Sequence, residues 1–409
     1  MRSDCRAGNV HSVGTPVDYG AISQTLSGAV SGGTVAAFAA TVVLSLVAGT
    51  WRSGPRAAPA PESAPAPGLP VERADPDSRE YAAVGDLVAA LVAEEEWAEI
   101  AVRIAGWERL LETTPGGIRY HQIAVETCLA ALQGALDAMP RQDLGELEPA
   151  ERELSHFLDR HRSAHGAPVP ALLAARAHLA IAESCHAEYW PEVQAKPAWR
   201  RRARHVAAAQ AILAGFDPVA HMSPLLAEAH YLATRGLPGG EDRLESAFDD
   251  WIDLDPANPE AYALHVPWLA EALGDDWAAL AAEAERAVRR AEATHGTAGY
   301  ALFCRPLFAA DPGARAHMDT ERFAQALFDM AAFSGNQSEV NWAAAELAEE
   351  IAESAPGRVA PLTETLMLLM RQHLRVIYPR LWPLPESEIA ALAEAAWRVV
   401  PDLEPALAA

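Results

Sequence analysis

The feature that most constrains the fold is a short stretch that ends one amphipathic helix and starts another. It runs from Trp251 to Tyr262 and reads WIDLDPANPEAY. Pro256 lacks the N–H that would continue the first helix, and the residue before a proline is biased away from helical angles. Asn258 is a favoured N-cap, and a proline such as Pro259 is favoured at the first helical position. The stretch therefore predicts two consecutive helices joined by a tight turn.

The composition extends this prediction to the whole body of the protein. Alanine, leucine, glutamate and arginine are abundant good helix formers, and no segment shows sustained strand alternation. We therefore predict an all-α protein. The predicted helices lie near residues 79–95, 96–113, 118–139, 146–161, 169–190, 197–214, 220–235, 241–253, 259–273, 276–294, 320–334, 337–354, 358–378 and 386–399.

The turn before Asn258 has a counterpart earlier in the chain. Phe216-Asp217-Pro218 precedes the helix that contains LLAEAHYLATRG, as Leu254-Asp255-Pro256 precedes PEAYALHVPWLAEAL. Pro218 and Pro256 are 38 residues apart. That spacing lies within the usual period of paired-helix repeats.

At this point the chain resembles the tetratricopeptide-like repeat proteins. Phe248 and Pro256 match the aromatic residue and terminal proline of that motif, and Tyr262 matches the aromatic residue that opens the next helix. Trp251 departs from the motif, because a small residue is usual there. The resemblance covers roughly 197–294, and a wider stretch resembles a bacterial family of such proteins. It implies stacked helix pairs, an α-solenoid, with a concave groove that binds a peptide or helix of another protein.

The resemblance also places candidate partner-binding residues on the first helix of each pair. Aromatic residues at helical spacing are more often inter-helix core, and this alternative stays open for both tyrosines. The candidates are His230, Tyr231, Tyr262, His265 and Trp268.

An uncharged apolar stretch near the N-terminus predicts a membrane anchor. Residues 30–51 nearly reach the roughly 20 apolar residues that a membrane helix needs. Trp51 and Arg52 stand where an interfacial aromatic and a cation belong. A cleaved signal peptide is the alternative, although no Lys or Arg lies between Arg6 and Trp51 to form its basic n-region.

With this anchor, the chain is predicted to be a single-pass protein of the cell membrane. The anchor also divides the chain into segments. Arg52 and Arg56, just after the span, place the helical body in the cytoplasm by the positive-inside rule. A stiff Pro/Ala-rich linker leaves the periplasmic or extracytoplasmic side open. The predicted organisation is a disordered segment at 1–29, the anchor at 30–51, the linker at 52–77, a tetratricopeptide-like domain at 78–310 and a C-terminal helical or capping region at 311–409.

A metal site is the main enzymatic alternative. Two Glu-x-x-His pairs on predicted helices have the spacing found in di-iron four-helix bundles, which add two further glutamates. Fourteen histidines among many glutamates produce about one such pair by chance. The pairs are Glu153 with His156 and Glu183 with His186, and Glu99 and Glu126 are the candidate further ligands.

Charge excludes some partners and highlights one segment. The formal net charge of −24 argues against binding nucleic acid, whose phosphates need a basic surface. The basic cluster WRRRARH, from Trp199 to His205, can receive a phosphate or an acidic peptide, or can pair with carboxylates on adjacent helices. Nucleotide-binding, nucleophile-elbow and zinc-protease motifs do not occur.

The preferred interpretation is a membrane-anchored helical-repeat scaffold that binds a protein partner in its concave groove. It predicts no catalytic residue, metal ligand or cofactor, and hence no enzyme. Two alternatives remain: the helical-bundle metalloprotein, and a structural subunit of a membrane complex.

Overall fold

The computed structural model describes residues 68–398, except 75, 165, 187–188 and 238. Regular structure in these residues is helical, apart from isolated bridges that join Val71 to Ile377 and Thr113 to Arg119. The described α-helices are α1 (Pro76–Ala93), α2 (Trp97–Leu110), α3 (Tyr120–Asp137), α4 (Glu148–Ser163), α5 (Pro168–Ser184), α6 (Glu192–Leu213), α7 (Pro218–His221), α8 (Pro224–Arg235), α9 (Glu241–Leu254), α10 (Pro259–Leu273), α11 (Trp277–His295), α12 (Gly299–Ala310), α13 (Thr320–Ser334), α14 (Gln337–Glu353), α15 (Val359–Gln372) and α16 (Glu386–Arg398).

The all-helical prediction is confirmed for the described residues, and each predicted helix has a counterpart there. The ends differ most at α5 and α15, which stop at Ser184 and Gln372 instead of residues 190 and 378. Two helices were not predicted. They are the single turn α7 and the apolar helix α12.

The turn between α9 and α10 forms as its residues predict. Asn258 Oδ1 accepts hydrogen bonds from the backbone N–H groups of Glu260, at 3.0 Å, and Ala261, at 3.4 Å. Pro259 occupies the first turn of α10, where a missing N–H leaves no hydrogen bond unmade. The local rules therefore set both the end of α9 and the start of α10.

Residues Pro67–Leu381 form one compact unit, and α16 belongs to a second one. Within this unit, helices that follow one another in the chain pack as pairs. The pairs are α1 with α2, α3 with α4, α5 with α6 and α8 with α9. The first helices of neighbouring pairs also meet, as α1 on α3, α3 on α5 and α5 on α8. Because α12 packs on α13, the packing continues across the predicted domain boundary at 310/311.

Buried alanines bring α5 close to its neighbours. Ala171, Ala174, Ala175 and Ala177 have no exposed surface, and α5 contacts α2, α3, α4, α6 and α8. Small side chains shorten the distance at which two helices pack. The alanines of α5 therefore support dense packing between this helix and its neighbours.

The predicted N-terminal anchor lies outside the described residues, as do the segment 1–29 and most of the linker 52–77. Among the helices that the structure describes, none combines the length and apolarity needed to cross a membrane.

Candidate functional site

Three of the predicted partner-binding residues lie in the interior of the protein. Tyr231, Tyr262 and His265 are at most 3 % exposed and lie in the core between α8, α9 and α10. The imidazole of His265 stacks on the ring of Phe248 at a centroid distance of 3.9 Å, and Tyr231 packs against Trp251 at 5.6 Å. These side chains hold neighbouring helix pairs together, so they present no surface to a partner.

The other two predicted residues are half-buried. His230 Nε2 lies 2.9 Å from the carbonyl oxygen of Phe216, and Trp268 packs beside His265 at 5.1 Å. The crevice that reaches Tyr262 and His265 has a volume of about 20 Å³. That volume holds about one water molecule.

The Glu-x-x-His pairs lie on α4 and at the end of α5. His156 and Glu183 are exposed, while Glu153 and His186 are half-buried. Within the described part of the chain, no three or more His, Cys, Asp or Glu side chains are arranged to hold a metal ion. The two other proposed ligands have different contacts. Glu99 pairs with Arg103 across one turn of α2, and Glu126 accepts a hydrogen bond from the Tyr81 hydroxyl.

A charge cluster that the sequence did not reveal joins α3, α5, α8 and α10. Arg176 on α5 forms an ion pair with the buried Glu228 on α8, and Gln122 on α3 donates a hydrogen bond to Glu260 on α10. Burial raises the pKa of Glu260, and the nearby charge of Glu228 raises it further. Burial likewise raises the pKa of Glu126. One guanidinium thus faces three carboxylates, and helices distant in sequence are tied together.

A second region of interest is a surface groove beside α6. It has a volume of about 480 Å³ and opens to solvent. Trp199 is 51 % exposed there, more than any other tryptophan in the described part of the chain. The groove is lined by Leu144, Pro197, Trp199, Arg200, Arg201, Ala203 and Arg204.

Two members of the basic cluster on α6, Arg201 and His205, lie beside the carboxylate of Glu151 on α4. Arg201 Nε donates to Glu151 Oε1 at 2.9 Å, and its Nη1 donates to the Leu144 carbonyl oxygen at 3.0 Å. His205 is buried, with Nε2 3.6 Å from the same Glu151 oxygen and Nδ1 2.9 Å from Nδ1 of His178. Burial lowers the pKa of His178 to about 4, with His205 adding to the effect. Arg201 and His205 therefore serve the packing of α6 on α4 and α5.

Three cations of this helix face outward, whereas Arg202 is half-buried and donates to the Gly236 carbonyl oxygen at 3.3 Å. Lys196, Arg200 and Arg204 are exposed, and none of them forms an ion pair with another described residue. They follow one another at intervals of four residues, which places them on one face of α6. The sequence identified the basic cluster from Trp199 to His205. Helical spacing separates its outward residues, Arg200 and Arg204, from the inward-facing Arg201 and His205. The interpretation that the cluster pairs with carboxylates on adjacent helices holds for Arg201, while binding of a phosphate or an acidic peptide stays a prediction.

Comparisons with protein-family models, with curated proteins and with solved structures gave no match.

Proposed function

We propose that this protein is a helical-repeat scaffold that binds another protein at the groove beside α6. The observation that carries this proposal is the position of Trp199, which stands half-exposed in an open groove between arginine side chains. Tryptophan and arginine are the residues most enriched among those that dominate the energy of protein–protein interfaces. An indole left in water has apolar surface to bury on a partner.

The helix pairs support the scaffold part of the proposal. Paired helices that stack on their neighbours form an α-solenoid, and solenoids are used chiefly to present extended binding surfaces. We place the surface on α6, the second helix of its pair, because the first helices use charged and polar side chains in contacts with one another. Arg176 with Glu228 and Gln122 with Glu260 are such contacts.

The membrane part of the proposal rests on the sequence. An anchor at residues 30–51 would hold the helical body at the membrane, on the cytoplasmic side, and raise the local concentration of a partner there. The protein would then act by bringing its partner to the membrane, without chemistry of its own.

Site-specific photocrosslinking in cells tests the proposal with the full-length protein. A benzophenone amino acid replaces Trp199 in one variant and Phe333 on α13 in the control, because Phe333 is 59 % exposed and lies far along the chain. We expect a discrete protein adduct from position 199 and none of that size from position 333. The same adducts at both positions, or none at 199, would rule out the groove as a protein-binding site.

A further inference from the structure

We propose that the groove beside α6 takes a short acidic peptide segment. Its carboxylates meet Arg200 and Arg204 in the groove and Lys196, which precedes the groove residue Pro197, while an apolar side chain packs on Trp199. The inference rests on the proposed function, since it names the chemistry of the partner that the groove binds.

The row of outward cations carries the argument. Lys196, Arg200 and Arg204 are separated by one helical turn each, so the row is about 12 Å long at 1.5 Å per residue. Like charges four residues apart repel each other and destabilise a helix. The chain has 56 acidic and 32 basic residues, yet none of the described carboxylates is paired with this row. An anionic ligand would relieve the repulsion that the folded protein leaves in place.

The inward residues fix the row in position. Glu151 on α4 binds Arg201 and lies beside His205, so the inner side of α6 is pinned to the helix beneath it. The only acidic residue of α6 is Glu192, one turn before Lys196. The inner side of α6 is therefore held by these contacts, and the segment from Lys196 to Arg204 contains basic but no acidic residues.

Size and charge favour a peptide over a larger polyanion. A row of about 12 Å matches some four residues of extended chain at roughly 3.3 Å each. A nucleic acid or an anionic membrane would also meet the rest of the surface, where the net charge of −24 repels it. A short acidic segment avoids that repulsion, because charges beyond about 8 Å are screened at physiological salt.

Fluorescence anisotropy with the detergent-solubilised full-length protein tests the assignment. The probe is a labelled ten-residue peptide with four glutamates around one phenylalanine, and its control carries glutamine at those four positions. We expect the acidic peptide to bind at least tenfold more tightly than the glutamine peptide, and its affinity to fall between 50 and 200 mM NaCl. Equal affinities for the two peptides would overturn the inference.

Matched variants locate the binding. Arg200→Gln with Arg204→Gln should weaken binding of the acidic peptide at least tenfold. Arg243→Gln with Arg289→Gln removes the same charge from exposed sites on α9 and α11, and should leave the affinity within twofold of the parent. Equal losses in both double variants would show a response to net charge alone and would overturn the assignment.

Competition separates the classes of ligand. If vesicles of anionic phosphatidylglycerol, or a short single-stranded RNA, bind the protein more tightly than the acidic peptide and lose that affinity in the Arg200/Arg204 variant, the groove is not a peptide site. A protein adduct at position 199 together with no preference for the acidic peptide would overturn this inference and leave the proposed function standing. No adduct at position 199 would instead count against the function itself.

Discussion

Arg119 and Asp255 lie 136 positions apart in the chain and form a two-point ion pair inside the protein. Arg119 Nε donates to Asp255 Oδ2 at 2.8 Å, and Nη2 donates to Oδ1. Arg119 also donates to the carbonyl oxygen of Leu111, and Asn258 donates to Asp255, so most polar atoms of the pair are satisfied. The contact joins the start of α3 to the turn between α9 and α10, which ties together two distant helix pairs.

Breaking this pair should destabilise the protein strongly. Asp255→Ala leaves the Arg119 guanidinium buried without its counter-charge, which we expect to lower the free energy of unfolding by about 3–5 kcal/mol. Urea unfolding followed by circular dichroism measures the change. The double variant Arg119→Met with Asp255→Leu should recover most of the loss, because no uncompensated charge is then buried.

A surface ion pair provides the control for that measurement. Arg162 and Asp159 pair across one turn of α4, and both side chains are about 70 % exposed. Asp159→Ala should cost less than about 1 kcal/mol, since solvent and salt screen such pairs. Equal losses for Asp255→Ala and Asp159→Ala would show that the buried pair contributes no more than a surface one.

Glu108 should make stability depend on pH near neutrality. The carboxylate lies in the interior, where Glu108 Oε1 accepts hydrogen bonds from the Ser223 hydroxyl at 2.5 Å and the Leu225 N–H at 3.1 Å. Burial raises the pKa of Glu108 to about 7, although both hydrogen bonds lower it. The folded state therefore holds the proton more tightly than the unfolded state. The contribution of this protonation to the free energy of unfolding is fully present below about pH 4.5 and is lost as the pH rises to about 7.

Glu108→Gln removes that titration while keeping an oxygen acceptor at the same place. The free energy of unfolding of the variant, relative to the parent, should rise by about 3 kcal/mol between pH 4.5 and pH 8. Urea unfolding at both pH values gives the difference. Glu94→Gln, on the exposed turn after α1, is the control. A difference between Glu108→Gln and the parent that is the same at both pH values would refute the prediction.

Tyr262 should contribute to stability rather than to partner binding. Its ring is 1 % exposed and packs edge-on against Phe248 at 5.8 Å. Tyr262→Ala should lower the free energy of unfolding by about 3–5 kcal/mol, as for other large core truncations. Trp199→Ala, at the groove, should change it by less than about 0.5 kcal/mol. Thermal unfolding of the two variants makes the comparison, and similar losses in both would contradict the burial difference.

The three cysteines among the described residues should be unreactive in the folded protein. Cys128, Cys185 and Cys304 are buried, and burial raises the pKa of Cys128 to about 12 and that of Cys185 to about 11. The thiolate is the reactive form, so both burial and protonation oppose modification. In a Cys5→Ser variant, we expect Ellman's reagent to label no thiol in native buffer and all three in urea. Rapid labelling without denaturant would show that these helices open readily.

Local chemistry made the helices and their turns predictable. The caps and prolines from Pro256 to Pro259 act through the backbone of adjacent residues, so the sequence alone locates the turn. The helix Gly299–Ala310 was missed because its residues are apolar around most of the circumference and Pro306 lies within it. Without an amphipathic stripe, a helix of this kind lacks the periodic signal on which prediction depends.

The sequence by itself determined that this protein is built from helices, and it located most of the helix ends, because propensity and capping are short-range. Only the tertiary structure decided which side chains are accessible. Tyr262 and Trp199 are both aromatic residues on amphipathic helices, but neighbouring helices cover the first and leave the second open. Likewise, Arg176 and Glu228 meet only because α5 packs on α8. Burial and charge pairing depend on which distant helices meet, and that follows from how all of them pack together.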